Sequence, residues 1–579
     1  MSEILKTGIT VGAAVGLTLI ALSLGPRAVS PEQFDDQGQE FFPTFKDSEA
    51  GGTVKRAADQ VAELQVVEFR ESAGAAFPFV VKRDDKGRWT IPSHGNYAAD
   101  AKDRMGKAAA MLIGLQKQAV VGDAKGRHVE FGVVDPLDPG TDTAGRGKRI
   151  SMKDSAGNVL ADLIIGKQVE NKPGVFYVRV PDKKRVYRTK IEGEVSTKFA
   201  DWIETDLLKA QSYDIGKVTF DNYSVDEQKG AIVTGPKFVV AKDAAGKWAF
   251  DGVDATKEEA NEDKLREIGD TLGQIKIVGV RPKPEGLTAR LERANGIEAQ
   301  MLAQQLQRKG YFLDRSGKMF SNEGDLLFET KKGVRYTLRF GELVLGDGEE
   351  VSAGAADEPK PGDKPKDPSK PEKPANNRYL MVTAEFDEAL LANDQPKSAK
   401  LPQDQLDKRA AARAQIEAIQ KAIEAFRAKS ENKLPESLAK LAEKPADGEA
   451  LLAELKKDPW DNDYVLQVQG ESYVVVSYGD DKKDGGDALA MDVRSDRLPA
   501  EDELTKAAGE WKTYDTKVED GRKEADKLTK RFGPWYYVID QALFGKLKPK
   551  REDLVKPKSA TPPAEGSQPP SPVLPGGGK

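Results

Sequence analysis

The chain has 579 residues, with 89 Lys+Arg against 95 Asp+Glu and a net charge of −6. That length predicts about four domains, and the charge balance excludes a broadly basic nucleic-acid binder. Cysteine is absent and only His94 and His128 supply imidazole. This excludes disulfides, thiolate metal sites and cysteine nucleophiles, and makes histidine-based catalysis a poor expectation.

No charge occurs between Lys6 and Arg27. Ile9, Val11, Val15, Leu17, Leu19, Ile20, Leu22 and Leu24 make this stretch long and apolar enough for one membrane span. An N-terminal transmembrane anchor is therefore expected over residues 1–29, with a cleaved signal peptide as the competing reading. Lys6 precedes the span, and Glu32, Asp35 and Asp36 follow it. This bias predicts a single-pass protein with its amino terminus inside and its bulk outside.

Beyond the anchor, two stretches share one plan. Each has a β-rich run (FVVKRDDKGRW and FVVAKDAAGKW), a Gly-x-aromatic turn at Gly87–Trp89 and Gly246–Trp248, and then an amphipathic helix. Met105, Ala108, Leu112 and Leu115 form one apolar stripe; Leu265, Ile268, Leu272 and Ile275 form the other. Both stripes follow the spacing of a single helical face. Strand hairpins follow, as in RISMKDSAGNVLADLIIG and VFYVRVPDKKRVYRT, the latter turning at Pro181 and Asp182. The pattern predicts duplicated antiparallel sheet-plus-helix units over 30–215 and 216–400. The tryptophans are expected to anchor the packing.

The segments GRWTIPSHGNYAADAKDRMGKAAAMLIGLQ, ADLIIGK, VFYVRV and DWIETDLL resemble domain-of-unknown-function family 4340. The resemblance extends over most of residues 30–390 and 505–556. It implies an envelope accessory protein linked to gliding-motility-type ABC exporters and their auxiliary subunits. It supplies no catalytic residue. Taken with the charge bias about the span, it makes the expected location a bacterial cytoplasmic membrane with the bulk periplasmic.

The proline-, lysine- and acid-rich stretch 347–377 reads as a solvated loop, and 557–579 as a Pro/Gly-rich tail. The charged stretch 511–532 predicts a helix. It leads into the aromatic strand WYYVI, so 505–556 is expected to return the chain to the second unit.

Residues 404–497 differ in kind. Ile416, Ile419, Ile423 and Phe426 mark a long helix, and Pro435 blocks its continuation. Two strand-like runs turn at Gly470 and lead to SYGDDKKDGGDALAMDV, where Asp480, Asp481, Asp484, Asp487 and Asp492 crowd thirteen residues. Such a loop offers the oxygen ligands that calcium takes, or is simply a solvated acidic hairpin. It is no EF-hand, because Lys482 and Met491 occupy positions that would need ligands.

In the order helix, LP with a leucine-rich turn, DPW, two strands and acidic loop, this region resembles the globular part of the type II secretion G-type major pseudopilin. The resemblance implies calcium held by Asp481 and Asp492 with the Tyr478 carbonyl; Asp484 completes the expected ligand set. Two departures stand out. The helix before this module is charged and no prepilin-peptidase site occurs, so polymerisation as an ordinary pilus subunit is not expected. Asp461 and Asp463 stand where the family has Gly and Pro.

No nucleotide-binding glycine loop, G-x-S-x-G or H-E-x-x-H motif is present. His94 is placed in a loop and His128 in a β-prone run. The expected fold is α+β: an N-terminal transmembrane helix, the duplicated sheet-plus-helix domains, and an inserted pseudopilin-like helix-plus-sheet module. The expected function is non-catalytic: an accessory or scaffold subunit of an ABC-exporter-type complex, or a type II secretion or pilus component that binds pseudopilins. A nucleic-acid partner is not expected.

Overall fold

The computed structural model describes residues 37–558 except 51–52, 72–73, 141–142, 227–228, 230, 244, 255, 285–286, 288–295, 315–316, 345–376, 447, 487 and 498. The expected membrane span, most of the 347–377 loop and nearly all of the 557–579 tail lie outside these residues. Among the described residues no helix is long and apolar enough to cross a membrane.

The first sheet is built from β1 (Glu63–Arg70), β2 (Ala75–Arg83), β3 (Trp89–Ile91), β4 (Tyr97–Ala98), β5 (Ala119–Gly122), β6 (Lys148–Lys153), β7 (Val159–Gln168), β8 (Val175–Arg179) and β9 (Val186–Lys190). Its order is β4-β3-β2-β1-β6-β7-β8-β9-β5. Alternation drives the pairing: Leu64 and Val66 of β1 are buried, while Glu63 and Gln65 between them are only partly so. Helix α1 (Lys102–Leu112) buries Met105, Ala108 and Leu112 against this sheet.

The second sheet begins with β10 (Ile215–Asp221), β11 (Lys237–Lys242) and β12 (Trp248–Phe250). Helix α2 (Glu262–Gly273) follows, burying Leu265, Ile268 and Leu272, and then β13 (Gly279–Pro282). A short helix α3 (Gly296–Gln307) precedes β14 (Asp325–Thr330), β15 (Val334–Val344) and β16 (Asn377–Phe386).

The chain then leaves the sheet. Helix α4 (Gln403–Lys429) packs on a three-stranded sheet of β17 (Val465–Gln469), β18 (Ser472–Ser477) and β19 (Val493–Arg494). Helix α5 (Pro499–Phe532) carries the chain back to β20 (Trp535–Asp540). It starts well before the expected residue 511: Pro499 opens it, Glu501 and Asp502 lie in its first turn where acids favour a helix start, and Glu501 is held by Arg413 of α4.

The second sheet has the order β12-β11-β10-β14-β15-β16-β20-β13. Apart from β4, this is the order of the first sheet, with β10 in the place of β1 and β20 in the place of β9. The turns agree in chemistry as well. Asp84 accepts from the Lys86 and Arg88 amides around Gly87, and Asp243 accepts from the Ala245 and Lys247 amides around Gly246. Both glycines have left-handed backbone, φ 74° and 79°. A cation lies over each following ring: Arg83 over Trp89 at 4.7 Å and Lys242 over Trp248 at 4.8 Å. Both rings pack against one continuous core shared by the two sheets.

One connection differs. Strands β8 and β9 are joined across residues 180–185, where Asp182 takes φ 63°. Strands β16 and β20 are joined across residues 387–534, which hold the whole excursion. His128 also departs from expectation. It opens a helical turn, His128–Phe131, closed by left-handed Gly132, and its ring bonds the Lys184 carbonyl at 2.8 Å.

Helix α5 approaches β16 closely at Gly521, where an added Cβ would lie 2.4 Å from the Lys332 carbonyl and 2.6 Å from the Phe386 ring. In a free helix Gly→Ala stabilises by about 1 kcal/mol. Here Gly521→Ala is expected to reverse that sign and destabilise by about 1–3 kcal/mol. Gly509→Ala on the same helix has open space and is expected to raise the melting temperature. Thermal denaturation of the two variants checks the pair.

Candidate functional site

The excursion has its own core. Ala412, Ile416, Ile419 and Ile423 of α4 bury one stripe against Leu438, Leu441, Trp460, Tyr464, Val475 and Val493, with Phe426 at its margin. Pro435 ends the region that a helix could occupy, and Leu438 and Leu441 come from a separate 3-10 turn.

The Asp458–Trp460 corner positions the acidic loop. The buried Asp458 carboxylate accepts from the Trp460 and Asn462 amides at 3.0 and 2.8 Å, and from Ser477 Oγ at 2.6 Å. Asn462 Nδ2 in turn donates to the Gly479 carbonyl at 2.7 Å, next to the start of the loop. The intervening turn needs left-handed backbone at Asp461, φ 67°. Glycine meets that demand without steric cost, and aspartate is among the few other residues that visit this region, so Asp461 is a departure that leaves the turn intact.

The expected metal ligands are brought together unequally. Asp492 is 2% exposed. Its Oδ2 accepts from the Gly485 amide at 3.0 Å, whereas its Oδ1 is buried without a hydrogen-bond partner. Burial, then the charges of Asp484 and Asp481, push its carboxyl above the usual range against the pull of the Gly485 amide. Those two carboxylates therefore lie within electrostatic reach of Asp492. Asp481 is exposed and accepts from the Lys483 amide at 3.2 Å, and Asp484 from Gln467 Nε2 at 3.4 Å. The Tyr478 hydroxyl also faces Gln467 Nε2 at 3.4 Å. Asp487 is outside the described residues, and among those described no group of three or more His, Asp or Glu side chains is arranged around a metal position. An orphaned, buried carboxylate oxygen within electrostatic reach of two further acids is the feature of this loop to which a cation would bring the most.

Sequence reasoning missed Arg409. It is 7% exposed and spans the inner side of the loop. Its guanidinium donates to the carbonyls of Leu489 at 3.3 Å, Asp492 at 3.4 Å and Met491. The signal was present: Arg409 lies three residues before Ala412, on the same stripe as Ile416 and Ile419. An arginine on an apolar stripe needs carbonyl partners. One turn further on, Arg413 holds the Arg494 carbonyl and Glu501, joining the module to α5.

The two histidines are built differently from acid–base residues. His94 stacks on Phe199 at 4.1 Å, its Nδ1 facing Ser93 Oγ at 2.9 Å. Burial and the Arg281 guanidinium hold its pKa down at about 4, so the ring is neutral at pH 7. His128 faces a backbone carbonyl, and burial lowers its pKa too.

Relieving the backbone at Asp461 gives a direct test of the corner. Asp461→Gly is expected to stabilise the module by about 0.5–1 kcal/mol, and Asp461→Val to destabilise it by about 1–2 kcal/mol. Denaturant unfolding read from Trp460 fluorescence checks both; an Asp461→Gly protein weaker than wild type would contradict the account.

Comparison with known proteins agrees with this division. No significant match to a curated protein is found. Residues 89–290 match the family described as domain of unknown function (DUF4340), and residues 401–496 that described as type II secretion system (T2SS), protein G. The chain therefore carries a DUF4340 segment running from β3 of the first sheet past β13 of the second, followed by a T2SS protein G domain formed by α4 and the β17–β19 sheet.

Proposed function

We propose that this protein is a non-catalytic envelope scaffold, a secretion- or pilus-associated component that presents a pseudopilin-like module to pseudopilins. One observation carries the reading: the T2SS protein G domain sits inside the connection between two adjacent strands and is fastened to its platform through α5. A module tethered at both ends, whose own long helix α4 is charged outside its buried stripe, is suited to display and not to polymerisation. The apolar residues 7–26 serve as a membrane anchor with the remainder periplasmic. The matching strand orders and the repeated Asp–Gly turns support an internal duplication of the platform.

Calcium completes the module in this reading. Asp481, Asp484 and Asp492 with the Tyr478 carbonyl would be its holders, and the support is the buried Asp492 Oδ1, which has no hydrogen-bond partner and is the group that most needs a cation. When bound, the ion supplies positive charge that offsets the mutual repulsion of the loop carboxylates. An association with ABC exporter subunits rests on the resemblance to family 4340 alone.

Calorimetric titration of calcium into the full chain is expected to show saturable binding, lost in Asp481→Ala and Asp492→Ala. At one hundred times Kd the ion should stabilise by about 2.7 kcal/mol. Mixing with the purified major pseudopilin is expected to give a calcium-dependent complex. Calcium binding without any pseudopilin complex would overturn the partner, and absence of calcium binding would overturn the metal.

A further inference from the structure

Strand β13 is the edge of the second sheet, and Arg281 pairs across it with Tyr536 of β20. The ladder runs one residue further, with the Lys283 amide donating to the Pro534 carbonyl at 2.7 Å. Lys283 Nζ lies 5.4 Å from the centre of the Tyr536 ring. Lys309, which follows α3, places its Nζ 5.6 Å from the same ring and 5.7 Å from that of Tyr379. Tyr536 itself stacks on the buried Tyr311 at 5.6 Å, so the aromatic floor is fixed.

Among the described residues these cations have no carboxylate countercharge within ion-pair distance. Arg281 donates to its neighbouring Val280 carbonyl at 2.8 Å, and Lys283 reaches the Phe532 carbonyl at 3.4 Å. Among the described residues no carboxylate pairs with Arg281, Lys283 or Lys309. Elsewhere in the same unit lysines find acids: Lys264 with Glu267 at 3.0 Å, Lys217 with Glu329 at 3.3 Å, and Lys548 with Glu323. Burial and the Arg339 charge bring the Lys283 pKa down to about 8. Burial, then Arg281 and Arg308, lower that of Lys309. An acidic chain that gathers half-buried, unneutralised cations here holds a local positive potential that an anion would relieve.

We propose that this edge of the second sheet binds an anion of the phosphate class, held by Arg281, Lys283 and Lys309 over the Tyr536 ring. A tetrahedral oxyanion matches the donors. The guanidinium offers a planar fork, and each ammonium three N–H groups. A free phosphate and the phosphate of an anionic lipid headgroup share this chemistry. The proposal is independent of calcium and of pseudopilin binding.

The test is competitive acylation of lysines in the full chain, read by peptide mass spectrometry. One arm adds inorganic phosphate in neutral detergent, against chloride at equal ionic strength. The other compares nanodiscs with and without anionic phosphatidylglycerol. Acylation of Lys283 and Lys309 is expected to slow about tenfold in at least one arm, with exposed Lys86 unchanged. Protection by free phosphate identifies a soluble anion; protection only in anionic nanodiscs identifies the headgroup. Arg281→Gln, and separately Lys309→Gln, should reduce the protection of Lys283 while leaving the melting temperature close to wild type. Unchanged rates in both arms would overturn the proposal, as would full protection of Lys283 in both variants.

Discussion

Strand β20 pairs with β16 although residues 387–534 lie between them, and the rest of the molecule is arranged around that closure. Joining strands across so long a connection costs conformational entropy, but the cost grows only slowly with length. Apolar burial offsets it. Ala525, Leu528 and Phe532 of α5, and Tyr537, Val538 and Ile539 of β20, all enter the interior. Each large side chain so buried contributes about 1.5–3 kcal/mol. The closure also positions the edge strand β13, which pairs only with β20 in this sheet.

The first sheet provides an internal comparison. There the corresponding strands meet across residues 180–185. An exposed hairpin turn is where a chain tolerates insertion, because little packing depends on its length. The module accordingly keeps a core distinct from that of the platform. Its two connections run side by side. Trp511 Nε1 donates to the Ser398 carbonyl at 2.9 Å, Lys400 pairs with Asp515 at 2.6 Å, and Arg522 with Glu388 at 2.8 Å. Exposed pairs of this kind contribute little energy each. They fix the path of residues 388–400 along α5, while the buried stripe of the helix supplies the stability.

Within the module, charge and packing pull against each other. Asp492 and Arg409 are both buried beside the acidic loop, yet they do not pair through their side chains. Arg409 is spent on backbone carbonyls, so the Asp492 carboxylate keeps one oxygen unmatched.

Local chemistry made much of this legible from sequence. The stripes Met105–Leu112 and Leu265–Leu272, the Asp–Gly turns before Trp89 and Trp248, and the Ile416–Ile423 helix depend on contacts within a few residues and form where their spacing placed them; Leu115 and Ile275, the expected last members of the two stripes, lie beyond the helix ends, buried in the same core. The helical turn at His128 was misread because Gly132 and the distant Lys184 carbonyl, not β propensity, set its conformation. The early start of α5, the role of Arg409 and the gathering of Arg281, Lys283 and Lys309 about Tyr536 were invisible for a common reason. Each joins residues far apart in sequence, and charge in a sequence carries no address until strand pairing gives it one. Sequence alone thus determined the class of each unit and the order of the units along the chain. Tertiary structure decided which buried charges are left without partners.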